Sequence, residues 1–379
     1  MLSNFFKSTI FSQTSDSLYG SSKQNLHIDG TLFSLILTLC AVGLIILYSA
    51  SGQNMKMVEL QIGHFLFGFA VMFVFAQVSP MTWQRTAIWL YGASLIMLIV
   101  VLFIGHVGKG GQRWLNLGII RIQPAELMKL AIPLTLASYY HKITLPIRMN
   151  AVLIAVPLIL IPAALTAKQP DLGTAILLFI AGASVLFLAG LSAKLIAYTA
   201  GLFALIIPFG WYFLYDYQRQ RVLTFLNPER DPLGKGYHII QSKIAIGSGG
   251  VFGKGWLHGT QSNLHFLPEH TTDFIFAVCG EELGFVGSVI LITIYMMIIL
   301  RGFYITINAQ NTFSRLLAGS LTCTLFVSFF VNMGMVTGIL PVVGIPLPLV
   351  SYGGSSMVTI MASFGILMSI QTHRRLVTT

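Results

Sequence analysis

Thr31-Leu-Phe-Ser-Leu-Ile-Leu-Thr-Leu-Cys-Ala-Val-Gly-Leu-Ile-Ile-Leu-Tyr-Ser-Ala50 runs for twenty residues without a charge. At 1.5 Å per residue such a helix crosses the hydrocarbon core of a bilayer, about 30 Å thick. Runs of the same kind recur near 62–78, 87–104, 125–140, 150–166, 173–190, 195–214, 275–299, 314–338 and 348–370. They predict an all-α integral membrane protein of about ten transmembrane helices, with a large extracytoplasmic loop at about 215–274 between helices seven and eight. Composition agrees. Of 379 residues, 55% are hydrophobic and only 9% charged, against about 25% charged in a soluble domain. A soluble enzyme, a disordered chain and a secreted disulfide scaffold are excluded. Cys40, Cys279 and Cys323 lie far apart in apolar runs, as buried structural thiols do.

The net charge of +10 reads as topology, because cytoplasmic loops collect Lys and Arg. With ten spans both termini share one side. Placing them in the cytoplasm puts ten Lys/Arg inside, among them Arg85, Lys142, Arg301 and Arg315, and five in short outer loops: Lys56, Lys109, Arg113, Arg121 and Lys168. Only Asp16 and Asp29 of the acids then face inward, so acidic chemistry belongs outside. No stripe of basic and aromatic residues argues for nucleic acid. Residues 1–28 read as a polar cytoplasmic tail without a cleavable signal, and 29–379 as a single polytopic domain.

Ionisable groups are expensive in spanning segments, so each needs a partner or a purpose. Glu126 and Lys129, three apart at the start of the fourth helix, share a face and can pair, either to fix packing or to serve a site. Lys109, Arg113 and Arg121 form a basic cluster on the outer side, suited to lipid headgroups or to clamping phosphate. Asp171, ahead of Gly173 and Thr174, either caps the sixth helix or steers a cation or sugar hydroxyl. Asp273 closes the long loop at the outer membrane face. A carboxylate there is expected to have a raised pKa and to act as a base near neutral pH; a helix cap is the plainer alternative. Glu281 and Glu282 lie about two turns deeper, where one can meet a basic residue. His270 reads as a surface histidine. Pro341–Ser356 is dense in Pro and Gly, with Ser351, Gly353 and Gly354 in its core. Broken helix at this depth is tolerated only where it lines a cavity or is buried in protein, so a re-entrant turn or a close backbone approach to ligand is expected.

Gly249-Gly250…Gly253-Lys254-Gly255 looks like a phosphate loop but lacks its first glycine and its Ser or Thr. There is no His-Glu-x-x-His motif either, and no metal ligands are assigned.

Taken together, Arg113-Trp114, Gln123-Pro-Ala-Glu126, Gln169-Pro-Asp-Leu-Gly-Thr174, Pro268-Glu269 with Thr272-Asp-Phe274, Glu281-Glu282 and Ser351-Tyr-Gly-Gly-Ser355 resemble the SEDS family (shape, elongation, division and sporulation) of bacterial peptidoglycan polymerases. Asp231–Lys243 and Pro341–Pro348 resemble the family's elongation branch more than its division branch. Two positions depart from the family pattern. Thr271 stands where the family usually has His, with His270 one place earlier, and Ala125 stands where it usually has Ser.

The resemblance implies an inverting glycosyltransferase that joins lipid II into glycan strands during elongation and releases undecaprenyl pyrophosphate. In that reading Asp273 is the catalytic base, while Lys109, Arg113 and Arg121 stabilise the departing pyrophosphate. Glu126, Lys129, Asp171, Glu281, Ser351, Gly353 and Gly354 complete the substrate site. A divalent cation, Mg or Mn, is compatible with the step. The implied setting is the bacterial inner membrane with the site facing the periplasm, alongside a class B penicillin-binding protein and other elongation-complex proteins. A lipid-linked precursor flippase is the rival reading. Transport by alternating access favours polar groups on both faces, whereas here they crowd one.

Overall fold

The structure, a computed structural model, describes residues 26–108, 111–116, 121–147, 149–191, 236–264, 266–267 and 269–373, with isolated positions at 197, 201, 219, 223–225 and 227. The tail up to residue 25, Lys109, most of the expected seventh span (195–214) and most of 215–235 lie outside the described residues, as does the side chain of Arg121.

The described chain runs α1 (Gly30–Ala50), α2 (Met55–Gln77), α3 (Pro80–Ile104), strands β1 (His106–Gly108), β2 (Gly111–Asn116) and β3 (Arg121–Ile122), α4 (Pro124–Tyr140), α5 (Met149–Lys168), α6 (Leu172–Leu188), α7 (Tyr237–Ser248), α8 (Thr260–Asn263), α9 (Ile275–Ile307), α10 (Thr312–Val336) and α11 (Ser355–Thr372). Among the described residues, seven helices are long and apolar enough to cross a membrane, α6 being a shorter apolar one. Their ends follow local chemistry. Asp29, Asn54, Ser79 and Asn311 each cap a helix by accepting a backbone N–H, the usual use of short polar side chains at that position.

Helices α10 and α11 are central: 56% and 61% of their apolar windows are buried, against 28% for α2 and α3. Trp89, Phe103 and Ile307 are more than three-quarters exposed, a surface that suits lipid rather than water. Helix α11 lies tightly on α2, where a Cβ on Gly365 would stand 2.5 Å from the Met72 carbonyl; small residues permit such approach in the absence of a hydrophobic drive between helices. At one membrane face Arg301 bonds Asp29 through two nitrogens, at 2.7 and 3.2 Å. On the same side the His27 and His373 rings stack at 3.7 Å, so the two ends of the described chain meet.

The structure departs from the sequence reading in three places. A three-stranded antiparallel sheet, order β1-β2-β3, fills the link between α3 and α4 in a chain expected to be all-α. Helix α9 extends to Ile307 and carries a non-helical Gly284 (φ 66°, ψ −160°). Residues 341–354 are irregular, so α11 starts at Ser355 rather than near 348.

Candidate functional site

The irregular stretch 341–354 is stitched to the loop that carries Asp273. The Ser351 hydroxyl donates to the Thr272 carbonyl at 2.6 Å and accepts the Leu347 N–H at 2.8 Å. The Tyr352 N–H donates to Thr271 O at 2.9 Å. Asn332 of α10, fully buried, donates its amide both to Asp273 O (2.9 Å) and to Ile345 O (2.7 Å). Backbone groups at this depth must find partners inside the protein, and these side chains supply them. The other edge rests on α2: Gln61, also buried, accepts from Gly353 N at 3.3 Å, and His64 lies against Gly354. Gly344, at φ 76°, lies beside the Asp273 carboxylate, whose Oδ2 would be in ordinary contact, 3.4 Å, with a Cβ there.

Gly344 also lines a small cleft of about 40 Å³, with Glu126, Lys129, Thr174, Ser351 and Ser356 and apolar residues of 345–349. The Glu126–Lys129 pair forms as the spacing predicted, at 2.7 Å. Only one carboxylate oxygen is used; Glu126 Oε2 is buried without a hydrogen-bond partner. A second hollow, sharing Lys129, Ser328 and Ile360, continues between α10 and α11 past the hydroxyls of Thr324, Thr359 and Ser363. Glu126, Lys129 and Ser351 therefore line one cleft, and the Asp273 carboxylate lies beside Gly344 at its edge.

Asp171 caps α6 by accepting Thr174 N at 3.2 Å, and also accepts Gln123 Nε2 at 2.8 Å. Arg113 reaches it at 3.6 Å and donates to the carbonyls of Gln169 (3.3 Å) and Pro170. The guanidinium expected to clamp phosphate thus commits its Nε and one Nη to the turn before α6. The cap alternative for Asp171 is the one seen. Both residues brace the cleft: α6 supplies Thr174 to its wall, and a Cβ on Gly173 would lie 2.8 Å from Val343 O.

Glu281 meets a basic residue, as one of the two glutamates was expected to. It is fully buried and faces the 254–261 loop, accepting from Lys254 Nζ (2.7 Å), Thr260 N (2.8 Å), Thr260 Oγ1 (2.9 Å) and Gln261 N (3.1 Å). Glu282 accepts Ser49 Oγ at 2.6 Å and the amides of Leu257 and Gly259. The Gly284 kink frees backbone groups that the glycine loop takes up. Lys254 N and Gly255 N donate to the carbonyls of Glu281 and Glu282, while Phe285 N and Val286 N donate to those of Gly250 and Val251. A Cβ on Gly253 would lie 2.1 Å from Glu282 O. The glycines resembling a phosphate loop let two backbones touch.

Asn332, Gln61 and Gln123 were not singled out from sequence. Each acts across 48 residues or more, which no local spacing reveals. His238 of α7 stacks on Phe274 at 5.9 Å, beside Asp273. Burial pushes its imidazole below the ordinary value, while Glu269 pulls the other way. Among the described residues no three His, Cys, Asp or Glu side chains converge as metal ligands.

The sequence profile of the FtsW/RodA/SpoVE cell cycle proteins matches residues 30–376. The chain is 53% identical to the peptidoglycan glycosyltransferase MrdB of Escherichia coli K12 over 352 residues, 93% of this chain and 95% of that one. It is 34% identical to a probable peptidoglycan glycosyltransferase FtsW of Geobacter metallireducens, with 90% and 96% covered. Among solved structures, it superposes on a chain from a study of polymerization and crosslinking by a peptidoglycan synthase complex with TM-score 0.80, 34% identity and coverage of 91% and 97%. For the rod shape determining protein RodA of Thermus thermophilus the figures are 0.70, 29%, 92% and 98%.

Proposed function

The chain belongs to the FtsW/RodA/SpoVE (SEDS) family and is a peptidoglycan glycosyltransferase of the rod-shape elongation branch, and from that premise we propose how its site works. Asp273 is the catalytic base. It takes the proton from the acceptor's sugar hydroxyl as that oxygen attacks the donor's anomeric carbon. The new glycosidic bond forms as the bond to pyrophosphate breaks, with inversion, and undecaprenyl pyrophosphate leaves. One carboxylate suffices because pyrophosphate is already a good leaving group. The observation that supports this reading is the nearness of the Asp273 carboxylate to Gly344, which lines the cleft that also holds the Glu126–Lys129 pair.

Lys129 is suited to meet substrate anions inside the cleft, and the orphaned Glu126 Oε2 to accept from a sugar hydroxyl. Ser351, Gly353 and Gly354 set the backbone against which the sugars lie. Arg113 and Asp171 act by holding the turn before α6, and Glu281 by holding the 254–261 loop. Lys109 and Arg121 remain assigned to the leaving pyrophosphate. Both termini are cytoplasmic and the cleft opens to the periplasm, where a class B penicillin-binding protein supplies crosslinking. The likeness to a chain of a peptidoglycan synthase complex supports that partner.

The test is polymerisation of labelled lipid II by purified protein with its class B partner. Wild type gives a glycan ladder; Asp273→Asn, near-isosteric, keeps its fold and gives none. A normal ladder from Asp273→Asn would remove the base. Absence of a ladder from wild type with the partner bound would favour the flippase.

A further inference from the structure

A large hollow lies at the other membrane face. Helix α3 begins there at Pro80 and ends at Ile104 beside the sheet, while α4 begins beside Asp171 and ends there at Tyr140. Between the first turns of α3, the last turns of α4 and the middle of α5 opens a groove of about 850 Å³. Its floor is fixed: Thr135 and Ser138 of α4 donate to the carbonyls of Ala87 and Gln84, each at 3.2 Å, and Tyr91 donates to Leu158 O at 3.0 Å. Its mouth carries Arg85, His141 and Lys142, all exposed. Its membrane-facing walls are Ile88, 68% exposed, and Ile154, 49% exposed.

No described acid answers this charge. Among the described residues neither Arg85 nor Lys142 makes an ion pair, and the one polar contact of the Arg85 guanidinium is Met81 Sδ at 3.6 Å. Asp29, the described acid at this face, is held by Arg301. An unpaired basic rim above an apolar groove between spanning helices matches a phospholipid's anionic head and acyl chains. A soluble anion would leave the apolar walls without a purpose. We propose that this groove seats one anionic phospholipid of the adjacent leaflet, its phosphate on Arg85 and Lys142 and its chains along Ile88 and Ile154. The site is separate from the Asp273 cleft, and the cleft's chemistry plays no part in it.

The test is electron spin resonance of the full chain in phosphatidylcholine vesicles, doped with spin-labelled phosphatidylglycerol or spin-labelled phosphatidylcholine. Wild type is expected to immobilise the anionic lipid in preference to the neutral one. Arg85→Gln with Lys142→Gln should lower that preference by about fivefold for each basic residue lost. Arg315→Gln, an exposed cation at the same face but outside the groove, should leave it unchanged. Ile154→Trp narrows the groove without touching a charge and should also release the lipid, which keeps the proposal testable if the double variant misfolds. Equal losses from Arg315→Gln, no preference in wild type, or retention in Ile154→Trp would each overturn the site. So would displacement by inorganic phosphate beyond that by chloride at equal ionic strength, since the ligand would then be a soluble anion.

Discussion

Glu126 and Lys129 show what one pair contributes to both stability and function. Their side chains are 7% and 13% exposed at a separation of 2.7 Å, so each charge is held largely out of water. Removing one partner of such a pair strands the other, at a cost of about 3–5 kcal/mol, whereas replacing both by apolar residues is often nearly neutral. Lys129→Met alone should therefore lower the thermal stability of the purified protein sharply, and Glu126→Leu with Lys129→Met should recover most of it. Lipid II polymerisation separates packing from substrate contact: the recovered double variant should remain inactive. A stable double variant with a normal glycan ladder would make the pair structural alone. Asp171 teaches the opposite lesson about single residues. Its cap, its Gln123 bond and its Arg113 contact account for the whole carboxylate without a substrate.

At the scale of elements, α9 and the loop beside it behave as one unit. Gly253, at φ 80°, would put a Cβ 2.1 Å from Glu282 O, so Gly253→Ala combines backbone strain with overlap against a main chain that cannot move aside. A loss above about 3 kcal/mol is expected, read as a lowered melting temperature. Gly247→Ala is the matched control. It sits in α7 with nothing within 4 Å of its Cβ position, and should be neutral or stabilising by up to about 1 kcal/mol. A similar drop from both would mean that contact between the loop and α9 is not what matters.

Seven of the expected spans were readable because apolar length is a property of the sequence itself, and Glu126–Lys129 because a helix fixes the three-residue spacing. The kink in α9 was not, since the sequence around Glu281 and Glu282 suggests a basic partner for one of them but gives no sign of the loop amides that bind both. The sheet escaped for a different reason: strands of three, six and two residues carry too little alternation to be recognised. Asn332 and Gln61 escaped because their partners lie far along the chain, and in sequence they are only polar residues in apolar helices.

For the whole molecule, closure depends on joining the first described residues to the last. The His27 and His373 rings stack at 3.7 Å and 14° between planes, while Ser369 ties α11 to the Val78 carbonyl at the end of α2. Burial, and then the neighbouring His373, push the His27 imidazole below its ordinary value of 6.5. The folded state therefore binds that proton less readily than the unfolded chain. The resulting stability is fully present above about pH 6.5 and is lost as pH falls from there toward the lowered folded value. Melting temperature should drop between pH 7 and pH 5.5 in wild type. His27→Phe keeps a ring against His373 but cannot be protonated, so its melting temperature should fall less over the same interval. An equal fall in both proteins would place the acid sensitivity elsewhere, with His238 beside Phe274 the next residue to replace, because its value is lowered by burial as well.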